Sequence, residues 1–268
     1  IQGAKGEFGP EAFRKFILEF IDAKKNDRFL AYFPMALVHS PFIHPPRLRE
    51  LSESRFPEDL DEKTRAFGHM VTYMDSVIGD ILDRLKVHGI EEETLVIFTG
   101  DNGTHRQITS RIGDLEIKGG KGTMTETGAR VPLIAWQPGT IEPGVCDELF
   151  ALIDILPTIN AWAGIETDHD VDGLDLSHLL RGEEGVNRDH VAIQYRQDYF
   201  VRDKRFRLNS DGNLYDVPVT SNERRYSELI TEDPAHASDR RRLQERLDAL
   251  MAIEQTFPKP RPAKKTNK

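Results

Sequence analysis

Thr99-Gly100-Asp101-Asn102-Gly103, Lys118-Gly119-Gly120-Lys121-Gly122 and Gly128-Ala129-Arg130-Val131-Pro132 are the three stretches that decide how this chain is read. The first closes an apolar run, Leu95-Val96-Ile97-Phe98-Thr99, which predicts a buried strand with an Asp-Asn pair at its end. Side-chain oxygens of Asp and Asn suit a hard divalent cation such as Ca²⁺. In the second stretch, glycines on both sides of Lys121 leave an ammonium group free to approach an anion closely. A cation site and an anion-seeking lysine on successive loops describe a pocket for a metal-bound oxyanion.

Outward from this centre, the pattern alternates. Gly9-Pro10 opens a helix with apolar residues at Phe13, Phe16, Ile17, Phe20 and Ile21. The apolar run Phe29 to Met35 predicts a buried strand that delivers His39 into the loop Val38-His39-Ser40-Pro41-Phe42. A long helix over about 62–88 carries Phe67, Met70, Val71, Met74, Ile78, Ile81, Leu82 and Leu85, and Gly89 stops it. Leu133 to Trp136 is a further strand, and Asp154 stands as the N-cap of a helix with Pro157 in its first turn and Gly164 at its end. Strands alternating with helices predict an α/β fold with a mostly parallel sheet and a site at the C-terminal strand ends, where His39 and Asp101 both fall.

The texture changes after the Gly/Asp/Glu-rich stretch that ends near Asn187. Residues 190–195, 199–202, 206–209 and 213–216 read as short strands, with Asp211-Gly212 as a tight turn, followed by a charged helix over about 235–253. The expected division is therefore 1–186 for an α/β catalytic part, 187–257 for a small α+β subdomain, and 258–268 for a disordered, Pro- and Lys-rich tail.

A net charge of -9 argues against a general nucleic-acid footprint, and no apolar run reaches the length of a membrane span. The single Cys146 excludes an internal disulfide.

The Asp-Asn strand end, the Gly-Gly-Lys-Gly loop and the Gly-Ala-Arg-Val-Pro piece, in this order, resemble the C-terminal half of the sulfatase family, within the alkaline phosphatase superfamily. The likeness extends to Gly89 to Thr94 before the Asp101 strand, to Asp154-Ile155-Leu156-Pro157-Thr158, and to Asn213-Leu214-Tyr215-Asp216, so it reaches about residue 230. It implies that Asp101 and Asn102 supply part of a Ca²⁺ site. It also implies that Lys121 contacts the sulfate oxygens and the leaving-group side of the ester, and that His39, in a His-x-Pro element, faces the leaving oxygen. His44 and His105 stand at the pocket rim, and Arg130 is structural.

The resemblance further implies a formylglycine nucleophile made from a Cys/Ser-x-Pro/Ala-x-Arg motif. Cys146 lies in Gly-Val-Cys-Asp-Glu, which does not fit, and no serine of the chain does. The expectation is a sulfuric ester hydrolase represented by its C-terminal part, acting in complete form on a sulfate ester such as a sulfated carbohydrate. It should pair with its missing N-terminal segment or self-associate. Two alternatives stand beside it: a phosphodiesterase or phosphonate hydrolase of the same superfamily, and a non-catalytic anion-binding module.

Overall fold

The structure is a computed structural model that describes residues 8–46, 56–57, 59–166, 169–218, 227–230 and 234–256. It divides into two compact units, one made of Ile1–Gly144 with Leu180–Glu183 and the other of Val145–Leu179 with Glu184–Lys268. The predicted tail over 258–268 lies outside the described residues.

In the first unit, helix α1 (Gly9–Lys24) and helix α2 (Glu62–Val87) pack side by side. Ile17, Leu18 and Ile21 meet Leu85, with Phe20, Phe29, Phe33, Ile81, Ile90, Val96 and Trp136 around them. Burial of these side chains drives the pairing, at about 1.5–3 kcal/mol for each one fully removed from water. Polar clamps flank the seam. Asp22 accepts from Arg84 Nη1 at 2.5 Å and pairs with His88 Nε2 at 2.7 Å. Those two contacts, His88 first, hold the Asp22 carboxyl below the ordinary aspartate value.

Asp61 caps the start of α2. Its carboxylate accepts from the backbone N–H groups of Lys63 and Thr64 at 3.0 and 3.1 Å. The buried face of α2 differs from the predicted stripe. Met70 and Leu85 are buried as expected, but Ala66, His69, Tyr73 and Val77 complete the covered face, while Val71 is exposed. The helix carries apolar residues around a wider arc than a single neighbouring helix can cover.

The sheet is where the expectation needs correction. Strand β1 (Val96–Thr99) pairs with strand β4 (Leu133–Trp136), and the pairing is antiparallel, with Phe98 opposite Ile134. Between them, strand β2 (Thr109–Ile112) and strand β3 (Leu115–Lys118) form an antiparallel hairpin. No parallel pair occurs among the described residues. Residues 29–35 form no strand either. None of its residues joins a ladder in the described sheets. Phe33 faces the helix pair, while Leu30 and Tyr32 are 75% and 88% exposed. An apolar segment with one face packed and one edge open has the residues of a strand without a neighbouring strand to make it one. For the same reason β1 is half-buried throughout rather than buried.

A short helix α3 (Glu126–Ala129) stands between β3 and β4. In the second unit, helix α4 (Ile155–Trp162) is followed by Gly164 as predicted. Asp154 does precede it, but its side chain does not cap the helix. The fully buried carboxylate instead accepts from the backbone N–H groups of Ala151 and Leu174, each at 2.8 Å, and from Arg188 through Nε at 2.8 Å and Nη2. A bidentate guanidinium outcompetes the helix end for a carboxylate removed from water.

Beyond helix α5 (Ser177–Arg181), strands β5 (Val191–Tyr195), β6 (Asp198–Arg202), β7 (Phe206–Asn209), β8 (Leu214–Asp216) and β9 (Glu228–Ile230) form one antiparallel meander in that order. Alternation sorts its faces. Tyr199, Val201, Phe206, Leu208 and Leu214 meet Leu243 and Leu247 of helix α6 (Ala237–Thr256). Arg207, on the other face, is buried with its guanidinium over the rings of Tyr215 and Phe200 at 4.4 and 5.6 Å. The small antiparallel sheet with its helix is thus as the sequence predicts, with β9 as a fifth strand beyond the four expected.

Candidate active site

Three loops of the first unit meet at the end of β1. Asp101 and Asn102 follow the strand directly, Asp101 exposed and Asn102 half-buried. The next residue locks their loop to the third sequence stretch. Gly103 N–H donates to the Gly128 carbonyl at 2.9 Å, and a Cβ on Gly103 would lie 1.9 Å from the Thr127 carbonyl oxygen. No other residue fits there without moving backbone.

Lys121 is held by the same loop. Its backbone N–H donates to the Thr104 carbonyl at 3.0 Å, and Gly119 N–H donates to Ile108 at 2.9 Å. A Cβ on Gly119 would stand 2.2 Å from the His105 carbonyl oxygen. The glycines before Lys121 therefore let its loop press onto residues 104–105. Sequence analysis assigns these glycines to the approach of an anion and does not anticipate this close packing. Only the spacing of Gly103, Gly119 and Gly128 carried a signal for it.

His39 enters from a different direction. Its ring Nδ1 sits 2.7 Å from the Ser40 carbonyl, so Nδ1 carries a proton and donates, leaving Nε2 as the other ring nitrogen. His39 is exposed, and Phe42 ties its loop to the others. The Phe42 ring lies edge-on to Phe67 at 5.8 Å and to His105 at 5.5 Å. His44 pairs with His69 of α2 through their Nδ1 atoms and with Glu62 through Nε2 at 2.7 Å. The histidine loop is thus pinned to both the long helix and the Asp101 loop. Phe42 was not singled out from sequence, because a loop phenylalanine carries no chemistry of its own.

The β2–β3 hairpin rises from this loop cluster. Arg111 bridges Asp59 at 2.9 Å and Glu116 at 3.2 Å, which joins the hairpin to the approach of α2. The bond from Arg111 holds the Asp59 carboxyl below its ordinary value. Arg130 is exposed, and its backbone N–H donates to Glu126 at 2.8 Å.

Among the described residues no group of three or more His, Cys, Asp or Glu gathers in a metal-binding arrangement. Asp101 and Asn102 fit Ca²⁺ in the kind of donor they offer, hard oxygens at a strand end, and they amount to two of the six to eight ligands the ion takes. Cys146 is exposed and belongs to the second unit.

The Sulfatase family profile matches residues 7–165, more than half of the chain and all three of the converging loops. This chain belongs to the sulfatase family. Human arylsulfatase A is 38% identical over 164 residues, a match that covers 60% of this chain and 30% of that protein. The sulfatase therefore spans about a third of the length of such a relative. Among solved structures, Ps i-CgsB superposes with a TM-score of 0.74 at 18% identity, over 93% of this chain and 55% of that one. The same protein in complex with k-i-k-neocarrahexaose gives a TM-score of 0.71 at 20% identity, again over 93% and 55%. A protein of the alkaline phosphatase superfamily from Vibrio parahaemolyticus gives 0.62 at 16% identity, over 94% of this chain and 57% of that one. These likenesses establish the alkaline phosphatase-like fold of the sulfatase.

Proposed function

We propose that the complete protein is a sulfuric ester hydrolase and that this chain furnishes the side of its active site that neutralises and protonates. The observation that carries the reading is the locked pair of loops. Gly103 and Gly119 fix the Asp101–Thr104 turn against the Lys121 turn, within a segment that the sulfatase profile covers.

Lys121 is the residue that meets the sulfate oxygens. A fixed ammonium group stabilises the negative charge that grows as the sulfur–oxygen bond breaks, and it needs no reorganisation to do so. His39 is the general acid. With Nδ1 committed to the Ser40 carbonyl, Nε2 is the atom that delivers a proton to the departing alcohol oxygen. Asp101 and Asn102 would hold Ca²⁺, with the remaining ligands supplied from outside the described residues. When bound, the cation supplies positive charge beside the sulfate.

The nucleophile lies elsewhere in the complete protein, since neither Cys146 nor any serine here stands in a formylglycine motif. The open edge at Leu30 and Tyr32 and the half-covered β1–β4 pair are where the rest of the family domain adds strands, parallel ones included. The substrate is a sulfate ester, with an aryl sulfate as the reference compound and sulfated carbohydrates as the natural class.

The test is hydrolysis by the complete protein of 4-nitrophenyl sulfate, compared with bis(4-nitrophenyl) phosphate and a phenyl phosphonate ester. Preference for the sulfate ester supports the reading. Turnover of the phosphorus esters alone would move the protein to the phosphodiesterase branch, and turnover of none would leave an anion-binding module.

A further inference from the structure

We infer that His105 is a substrate-binding residue of this site, donating a hydrogen bond from Nε2 to a sulfate oxygen; the inference rests on the sulfatase reading above. Three observations carry it, and the first is position. His105 is bracketed by the two catalytic loops. Its ring lies edge-on to Phe42, three residues from His39, and its carbonyl oxygen abuts Gly119, two residues from Lys121.

The second is proton placement. The backbone N–H of Gln107 donates to His105 Nδ1 at 3.2 Å. An acceptor nitrogen has no proton, so the neutral ring carries its hydrogen on Nε2. That nitrogen is at the far edge of the ring from the turn that holds Nδ1. His39 is fixed in the opposite sense, because its Nδ1 donates to the Ser40 carbonyl. One histidine of the pair therefore offers a nitrogen that takes and gives a proton, and the other offers a permanent N–H donor.

The third is chemical complementarity. A sulfate group presents only acceptors, so a side chain that recognises it must donate. His105 does so from the Nε2–H that its neutral ring carries. The residue is half-buried and pre-organised by its own turn, with Ile108 N–H donating to the His105 carbonyl at 3.0 Å. Little rotamer freedom remains to be lost on binding.

Two substitutions separate this role from support of the turn. In His105→Asn the amide oxygen takes the place of Nδ1 and still accepts from Gln107, but nothing replaces Nε2. In His105→Gln the amide nitrogen reaches the position of Nε2. The complete protein is titrated with inorganic sulfate by calorimetry, and the same variants are assayed for KM on 4-nitrophenyl sulfate. The expected result is a roughly ten-fold weaker Kd and a similarly raised KM for the Asn variant, the scale of one lost hydrogen bond. Its kcat and melting temperature should stay near the parent's, and the Gln variant should recover most of the loss. An Asn variant with parental sulfate affinity, or equal losses in both variants, would overturn the inference. Sulfate binding that depends on His105 in a protein that turns over no sulfate ester would uphold His105 and sink the sulfatase reading instead.

Discussion

Gly103 N–H donates to the Gly128 carbonyl at 2.9 Å, and this bond joins the Asp101 loop to the far end of the Lys121 loop, twenty-five residues on. Around it the backbones are too close for any side chain at Gly103. The contact gives the site its rigidity, since neither loop belongs to a strand at that point.

Substitution at Gly103 should therefore be costly in a way its exposure does not announce. Gly103→Ala forces a methyl group onto the Thr127 carbonyl and is expected to destabilise the protein by about 1–3 kcal/mol, the range of overpacking. It should also lower sulfate-ester turnover. Gly79, within α2, has nothing within 4 Å of an added Cβ, so Gly79→Ala should be neutral or stabilising by roughly 0.5–1 kcal/mol. Urea denaturation of the two variants checks the contrast. Equal effects would mean that the loop contact is slack.

In the second unit the Asp154–Arg188 pair makes the strongest stability prediction. Arg188→Met leaves a fully buried carboxylate with only two backbone donors, at Ala151 and Leu174. The expected loss is about 3–5 kcal/mol, because removing one partner strands a charge out of water. The double variant Arg188→Met with Asp154→Leu should recover a large part of it. A mild single-variant effect in thermal denaturation would show that the carboxylate finds water.

Asp61 supplies a pH dependence. The bond from the Thr64 hydroxyl, at 2.6 Å, and then the backbone N–H of Thr64 hold its carboxyl below the ordinary aspartate value. The folded state therefore binds the proton less readily than the unfolded chain. Its contribution is complete above the unfolded aspartate value and is lost as pH falls through the lower, folded one. Asp61→Ala should cost roughly 1 kcal/mol at neutral pH, and the penalty should shrink in acid. A penalty that grew in acid would reverse the sign of this linkage.

The reach of the sequence was set by locality. The helix starts near Gly9 and Glu62, the stop at Gly89 and the β5–β8 hairpins depend on neighbours a few residues away, and all were legible; the Asp61 cap was not singled out. The strand expected over residues 29–35 does not form, because an apolar segment becomes a strand only beside another, and the described residues offer none. Asp154 misled for a related reason. Its capping position is local, whereas the pull of Arg188 comes from thirty-four residues on. In the site, Asp101, Asn102, Lys121 and His39 stood out by residue type and motif. Phe42, Thr104 and Gly128, which bring their loops together, act through a ring and backbone carbonyls that any sequence contains.

His39 should reveal its role through the leaving group. In the complete protein, His39→Ala should slow esters of poorly acidic alcohols far more than 4-nitrophenyl sulfate, whose leaving group departs without a proton. A series of aryl and alkyl sulfates ordered by alcohol acidity would read this as a steeper dependence in the variant. Parallel lines for the variant and the parent would take His39 out of the acid role and leave it a binding residue.

The decisive measurement is kcat of the complete protein on 4-nitrophenyl sulfate for Lys121→Ala, with calcium binding to the same variant followed by calorimetry. Loss of a fixed positive charge at the sulfate should lower kcat by ~10²-fold or more while calcium binding stays close to the parent's. A Lys121→Ala protein that kept full turnover would contradict the assignment of this pocket.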